Sequence, residues 1–209
     1  AAAERVAKYF VRAGYENIRI YEKYHTWSAD QQLPIEKLAR YAQLVSPGWL
    51  QQLLSTNTAP EYDSDRCVVC HAHYRNPGDY LQGHIPGAIE MDTLALESPE
   101  TWNRRSPQEI RQALEAAGIT HDTTVVLYGR FAFPDNNDPF PGSSAGHLGA
   151  MRCAFIMMYA GVRDVRILNG GLQSWLDAGY ELSTETVEKQ PVDDFGAPIP
   201  VHPELAVDL

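Results

Sequence analysis

A helix and strand unit that occurs twice, a domain's length apart, restricts the possible folds more than any other feature of this chain. Residues 3–13 place Val6, Tyr9, Phe10 and Ala13 at helical spacing, and Gly14 follows as a residue that tolerates a left-handed C-terminal cap. Asn17-Ile18-Arg19-Ile20-Tyr21 then alternates as a half-buried strand does. Shifted by 147 positions, Arg5 falls on Arg152, Ala7 on Ala154, Ala13 on Ala160, Gly14 on Gly161 and Ile18-Arg19-Ile20 on Val165-Arg166-Ile167. An internal repeat with this period points to tandem domains of one architecture. More than a hundred residues of further elements precede the second copy, whereas the first starts at Ala1. The expectation is that the chain begins inside a domain.

Between the copies, helix and strand signals alternate. Ser46-Pro47 supplies an N-cap with proline at the first helical position, and Arg66-Cys67-Val68-Val69-Cys70 is a strand candidate. Ser106-Pro107-Gln108-Glu109 is a capping box. The helix it opens carries Ile110, Leu114 and Ala117 on one face and ends at Gly118. Thr123-Thr124-Val125-Val126-Leu127-Tyr128 is an apolar, β-branched run of the length of a fully buried parallel strand. This alternation predicts an α/β fold, a parallel sheet with helices on both faces. After Gly179 the sequence turns polar through Gln190-Pro191-Val192-Asp193-Asp194, which reads as a linker. The expected organisation is a tail of one domain over 1–30, a complete domain over 40–185, and a linker with the start of a following domain over 186–209.

Composition excludes several function classes. The chain has 44% hydrophobic and 21% charged residues, as ordinary globular proteins do. No apolar run approaches the roughly 20 residues that cross a bilayer, and the first residues lack the layout of a signal peptide. A formal net charge of −10 disfavours nucleic acid and anionic lipid as partners. Three cysteines, Cys67, Cys70 and Cys153, are too few for a disulfide framework.

Four stretches, taken in order, resemble rhodanese-like sulfurtransferase domains. They are Gly83-His84-Ile85-Pro86-Gly87-Ala88 with Tyr80 before it, the strand Thr123–Tyr128, Tyr159–Leu168, and Asn169-Gly170-Gly171-Leu172-Gln173-Ser174-Trp175. The whole chain looks most like the middle part of three-domain bacterial proteins of this type. The resemblance implies a five-stranded parallel sheet flanked by helices on both faces. It also implies a parent enzyme that moves sulfane sulfur from thiosulfate or a related donor to a thiophilic acceptor, with neighbouring rhodanese-like domains, no cofactor, and a periplasmic location. That chemistry needs a thiolate at the end of the central strand, facing backbone N–H groups at a helix N-terminus that lower the thiol pKa.

Here Gly129 stands where the resemblance places the family's cysteine, and His71-Ala72-His73 replaces its usual Asp-Ala-Arg. A long insertion spans 131–147, against about half a dozen residues in active members. The vestigial active-site loop is thus expected at Gly129, Arg130, His147 and Arg152, with no catalytic residue and no metal ligand, and this chain alone is expected to be inactive. The alternative is a non-enzymatic scaffold or binding module that recognises a protein partner or small anion.

Other constellations have blander readings. Cys67-Val68-Val69-Cys70-His71 matches the C-x-x-C-H pattern of haem attachment, but on a strand Cys67 and Cys70 face opposite sides. Zinc ligation by the same cysteines with His71 and His73 would draw all ligands from one strand rather than from two separated pairs. Cys153 is expected in the core and His84 in a structural turn. Ser143, Ser144 and His147 lack a third triad member, and Asp135–Asp138 lack the spacing of a calcium loop. Phe131, Phe133 and Phe140 could mark a partner contact or pack onto their own domain.

Overall fold

The computed structural model describes residues 2–20, 39–130 and 146–206. Two compact units divide between Ala39 and Arg40. The first contains helix α1 (Ala2–Arg12), closed by Gly14 at φ +85°. Residues 17–20, expected as a strand, are irregular, and Asn17 sits at φ +61°. Alternation of side chains specifies a strand only where another strand accepts its hydrogen bonds, and 17–20 pair with none among the described residues. Tyr21, the end of that expected strand, lies outside the described residues.

The second unit is built on a five-stranded, wholly parallel sheet in the order β1-β5-β4-β2-β3. The strands are β1 (Leu44–Val45), β2 (Cys67–His73), β3 (Ile89–Asp92), β4 (Thr124–Gly129) and β5 (Asp164–Leu168). Each crossover carries helix, with α2 (Pro47–Thr56), α3 (Gly78–Gln82), α4 (Pro107–Ala116) and α5 (Gly146–Ala160) among them, and α6 (Gly171–Asp177) follows β5. The caps follow the sequence signals. Ser46 accepts from Trp49 N, and Ser106 and Glu109 close a reciprocal capping box.

Strand alternation divides the core in two. Cys70, Ala72, Val125 and Leu127 pack on one face against Ile110 and Leu114 of α4 and Ala150, Cys153 and Met157 of α5. Val69, Val126 and Tyr128 pack on the other against Leu50 of α2 and Trp175 of α6. The fold class is thus the expected α/β sandwich, and β4 lies at its centre with every residue buried. Among the described residues, no helix is long and apolar enough to cross a membrane.

The stretch expected as a linker is instead strapped along this unit. His84 and Ser183 exchange backbone hydrogen bonds at 2.9 and 2.8 Å. Val192 N donates to Glu115 O, Phe195 N to the Glu115 carboxylate, and His121 N to Phe195 O. Arg111 reaches the carbonyl of Ala197 at 2.6 Å. The Phe195 ring is 0% exposed and belongs to the same core as α4. Polar composition concealed this path because its anchors, Phe195 with Val187, Ala197 and Ile199, are scattered along it and backbone hydrogen bonds add to them. Phe195→Ala should therefore destabilise the unit by about 3 to 5 kcal/mol, seen as a lower urea midpoint. A free linker would give no change.

Candidate functional site

Parallel α/β sheets present their functional loops at the carboxyl ends of the strands. At that edge β4 ends in Gly129, and α5 starts at Gly146 in direct backbone contact with it. A Cβ on Gly129 would lie 2.1 Å from Gly146 O and 2.7 Å from His147 N. A Cβ on Gly171 would lie 2.5 Å from Gly129 O and 2.8 Å from His147 Nδ1, at a backbone φ of +58°. Three backbone segments therefore converge where only glycine fits. His147 N donates to Arg130 O at 3.2 Å, so the first turn of α5 spends this N–H on the protein itself. The His147 ring is buried, and burial holds its pKa below the usual value.

Gly129, Arg130 and His147 are thus brought together. Arg152 points elsewhere. Its guanidinium pairs with the buried Glu97 carboxylate at 2.6 Å and donates to Trp102 O at 2.9 Å. It lines a cleft of about 320 Å³ with Trp102, Phe155 and Tyr159. Burial pushes the Glu97 carboxyl up despite its Arg152 partner. Sequence reasoning missed this cleft, although Met151, Phe155 and Tyr159 at helical spacing were a signal for it.

The histidines that replace the family's Asp-Ala-Arg are structural in their surroundings. His71 is fully buried between Tyr80 and Tyr128, with Nε2 3.4 Å from Asp79 Oδ2. His73 hydrogen-bonds Glu90, which Lys189 also contacts at 3.0 Å. The His73 bond, aided by Lys189 and opposed by burial, pulls the Glu90 carboxyl down to about 2. His84 stacks on Tyr80, and its two ring nitrogens sit 2.9 and 3.0 Å from the carbonyls of Tyr80 and Glu185. The hallmark turn thereby holds the strap in place.

None of the three thiols is placed for nucleophilic work. Cys67 and Cys70 lie on opposite faces of the sheet, so they cannot converge on one haem edge or one zinc ion. Burial pushes Cys67 up to about 12 and raises Cys70 and Cys153 further, so all three stay protonated at neutral pH. Ser143, Ser144, Asp135–Asp138, Phe131, Phe133 and Phe140 lie outside the described residues.

A five-stranded parallel sheet whose central strand ends against the first turn of the following helix is the arrangement expected of a rhodanese-like α/β domain. The sequence profile of the rhodanese-like domain matches residues 46–178, and the chain belongs to that family. Among curated relatives, it is 39% identical over 176 residues to the thiosulfate sulfurtransferase YnjE of Escherichia coli, covering 84% of this chain and 37% of that protein. It is 32% identical over 149 residues to the sulfur carrier protein TtuD of Thermus thermophilus, covering 71% of this chain and 44% of that one. Among solved structures, the anaerobic ergothioneine biosynthesis enzyme of Chlorobium limicola, in complex with trimethyl histidine, superposes with a TM-score of 0.80. It shares 57% sequence identity over 99% of this chain and 49% of its own. The chain therefore spans about half the length of that solved relative, and less of YnjE.

Two outcomes follow from the geometry. Gly129→Ala, which forces a Cβ into Gly146 backbone, should destabilise the unit by about 3 kcal/mol or more, read from urea unfolding. Because the folded Glu90 carboxyl titrates near 2 rather than its ordinary 4.5, its contribution is complete above about pH 4.5 and is lost as pH falls toward 2. Glu90→Gln should accordingly flatten the fall in the urea midpoint between about pH 5 and pH 3, whereas an unchanged pH slope would refute the assignment.

Proposed function

We propose that this chain is the scaffolding part of a longer sulfurtransferase, and that its rhodanese-like domain takes no covalent part in the reaction. The observation that carries the reading is Gly129: it holds the position at the end of β4 where the family's sulfur carrier stands, and the backbone of Gly146 and His147 fills the space a thiol would need. The nucleophilic cysteine of the parent then lies in another of its domains.

The identity to the ergothioneine biosynthesis enzyme supports a finer assignment. Structures of that relative include one with ergothioneine covalently linked to a cysteine persulfide and one with hercynine. The parent protein of this chain accordingly transfers sulfane sulfur to the imidazole ring of a trimethylated histidine. The persulfide's terminal sulfur bonds to the ring carbon and its S–S bond breaks. The carrier cysteine leaves as the thiol, and the displaced ring proton completes the balance without an external oxidant. Thiosulfate or polysulfide recharges the cysteine.

Two preparations test this, the 209-residue chain and the full-length parent, each given thiosulfate with cyanide and, separately, polysulfide with trimethyl histidine. Both reactions are expected from the parent and neither from the chain, and alanine at Cys67, Cys70 and Cys153 should leave the parent's turnover in place. Turnover by the chain that disappears with those cysteines would overturn the reading of Gly129.

A further inference from the structure

Helix α5 is buried on its sheet side, yet its outer side carries a continuous apolar stripe. Leu148 is 59% exposed, Met151 45% and Phe155 49%, and Trp102 from the loop after β3 adds an indole that is 51% exposed. Met151, Phe155 and Trp102 line the cleft that also holds the Glu97–Arg152 ion pair, and Leu148 lies one turn before Met151 on the same helix. The pair neutralises itself, and the Arg152 guanidinium already lies 5.8 Å from the Trp102 ring centroid and bonds Trp102 O. The polar groups are thus engaged, and what the groove offers a visitor is aliphatic and aromatic surface. Contiguous exposed apolar surface of this kind marks a protein contact.

The strap identifies the visitor. After crossing α4 it returns to α5, where His202 N donates to Tyr159 O at 3.1 Å and the turn Pro203–Leu205 sets Leu205 into the cleft wall. Leu205 itself therefore lies in the groove wall, and a relative that matches 99% of this chain is about twice its length. We propose that the groove of Met151, Phe155 and Trp102, with the exposed Leu148 beside it, is the docking surface for a further domain of the parent protein, tethered to it through Leu205. A tethered domain meets the groove at a high effective concentration, which a second copy of the chain does not. The ion pair beneath would then hold Trp102 against α5 and fix the shape of the surface. This inference rests on the reading of the parent as a longer sulfurtransferase.

Methionine and tryptophan are well suited to hydroxyl-radical footprinting, which requires no substitution and so no variant that could fail to fold. Oxidation of Met151 and Trp102 should be several-fold lower in the full-length parent than in the 209-residue chain. Equal oxidation in the two proteins would overturn the proposal. Protection that develops in the 209-residue chain as its concentration rises would identify a second copy as the occupant and overturn it as well. Sulfur transfer measured on the same parent sample separates the two readings: protection without any turnover supports the docking surface and removes only the functional assignment.

Discussion

The arrangement at the carboxyl edge of the sheet depends on one close contact, between the last residue of β4 and the first turn of α5. Central parallel strands are buried on both faces, so their only route to function is the loop at the carboxyl end. Here that end is closed by backbone packing on backbone. Gly129 lies against Gly146 and His147, and Gly171 of the next helix start lies against Gly129 O and the His147 ring. The convergence is possible because none of the three glycines carries a side chain. It positions the N-terminus of α5, the helix that supplies Ala150, Cys153 and Met157 to the core.

The same contact explains the chemistry of the neighbouring strand. A persulfide cradle is an anion site, so the residues around it balance negative charge. In this domain the carboxyl end of β2 faces protein. His71 is wedged between two tyrosine rings beside Asp79, and His73 bonds Glu90, which reaches Lys189 on the strap. A side chain that could have served substrate is committed to tying β2 and β3 to the strap. Its charge partner is partly exposed, so the contribution is structural registration more than raw stability.

Local signals in the sequence were accurate wherever a short segment decides its own conformation. The capping box at Ser106, the proline start at Pro47 and the buried run ending at Tyr128 all appear as expected, because each depends on neighbours within a few positions. The ordered motifs identified the family and the fold. Two readings failed where the deciding partner is distant. Residues 17–20 alternate, but a strand exists only by pairing. The stretch from 186 onward read as a linker, since its hydrogen bonds go to Tyr80, Glu115 and His121, which sequence order does not connect to it. Arg152 illustrates a third limit: its backbone position was legible from the repeat, but its direction was set by Glu97, a buried acid more than fifty residues earlier.

A sulfur-carrying cradle is costly to maintain. Its N–H groups must face an anion rather than one another, and an unmatched buried donor costs on the order of 1 to 3 kcal/mol when the anion is absent. In this domain His147 N is satisfied by Arg130 O, and the space above Gly129 is filled. Both features leave this part of the backbone satisfied by the protein's own groups. They also act together, because the N-terminus of α5 can approach β4 only where Gly129 has no side chain, and Gly129 has no room for one once α5 has approached. Restoring a thiol there would consequently require moving the start of α5 and freeing its N–H groups, a change in backbone as well as in one side chain. The close approach of α5 to β4 is therefore fixed by packing of Gly129, Gly146 and Gly171.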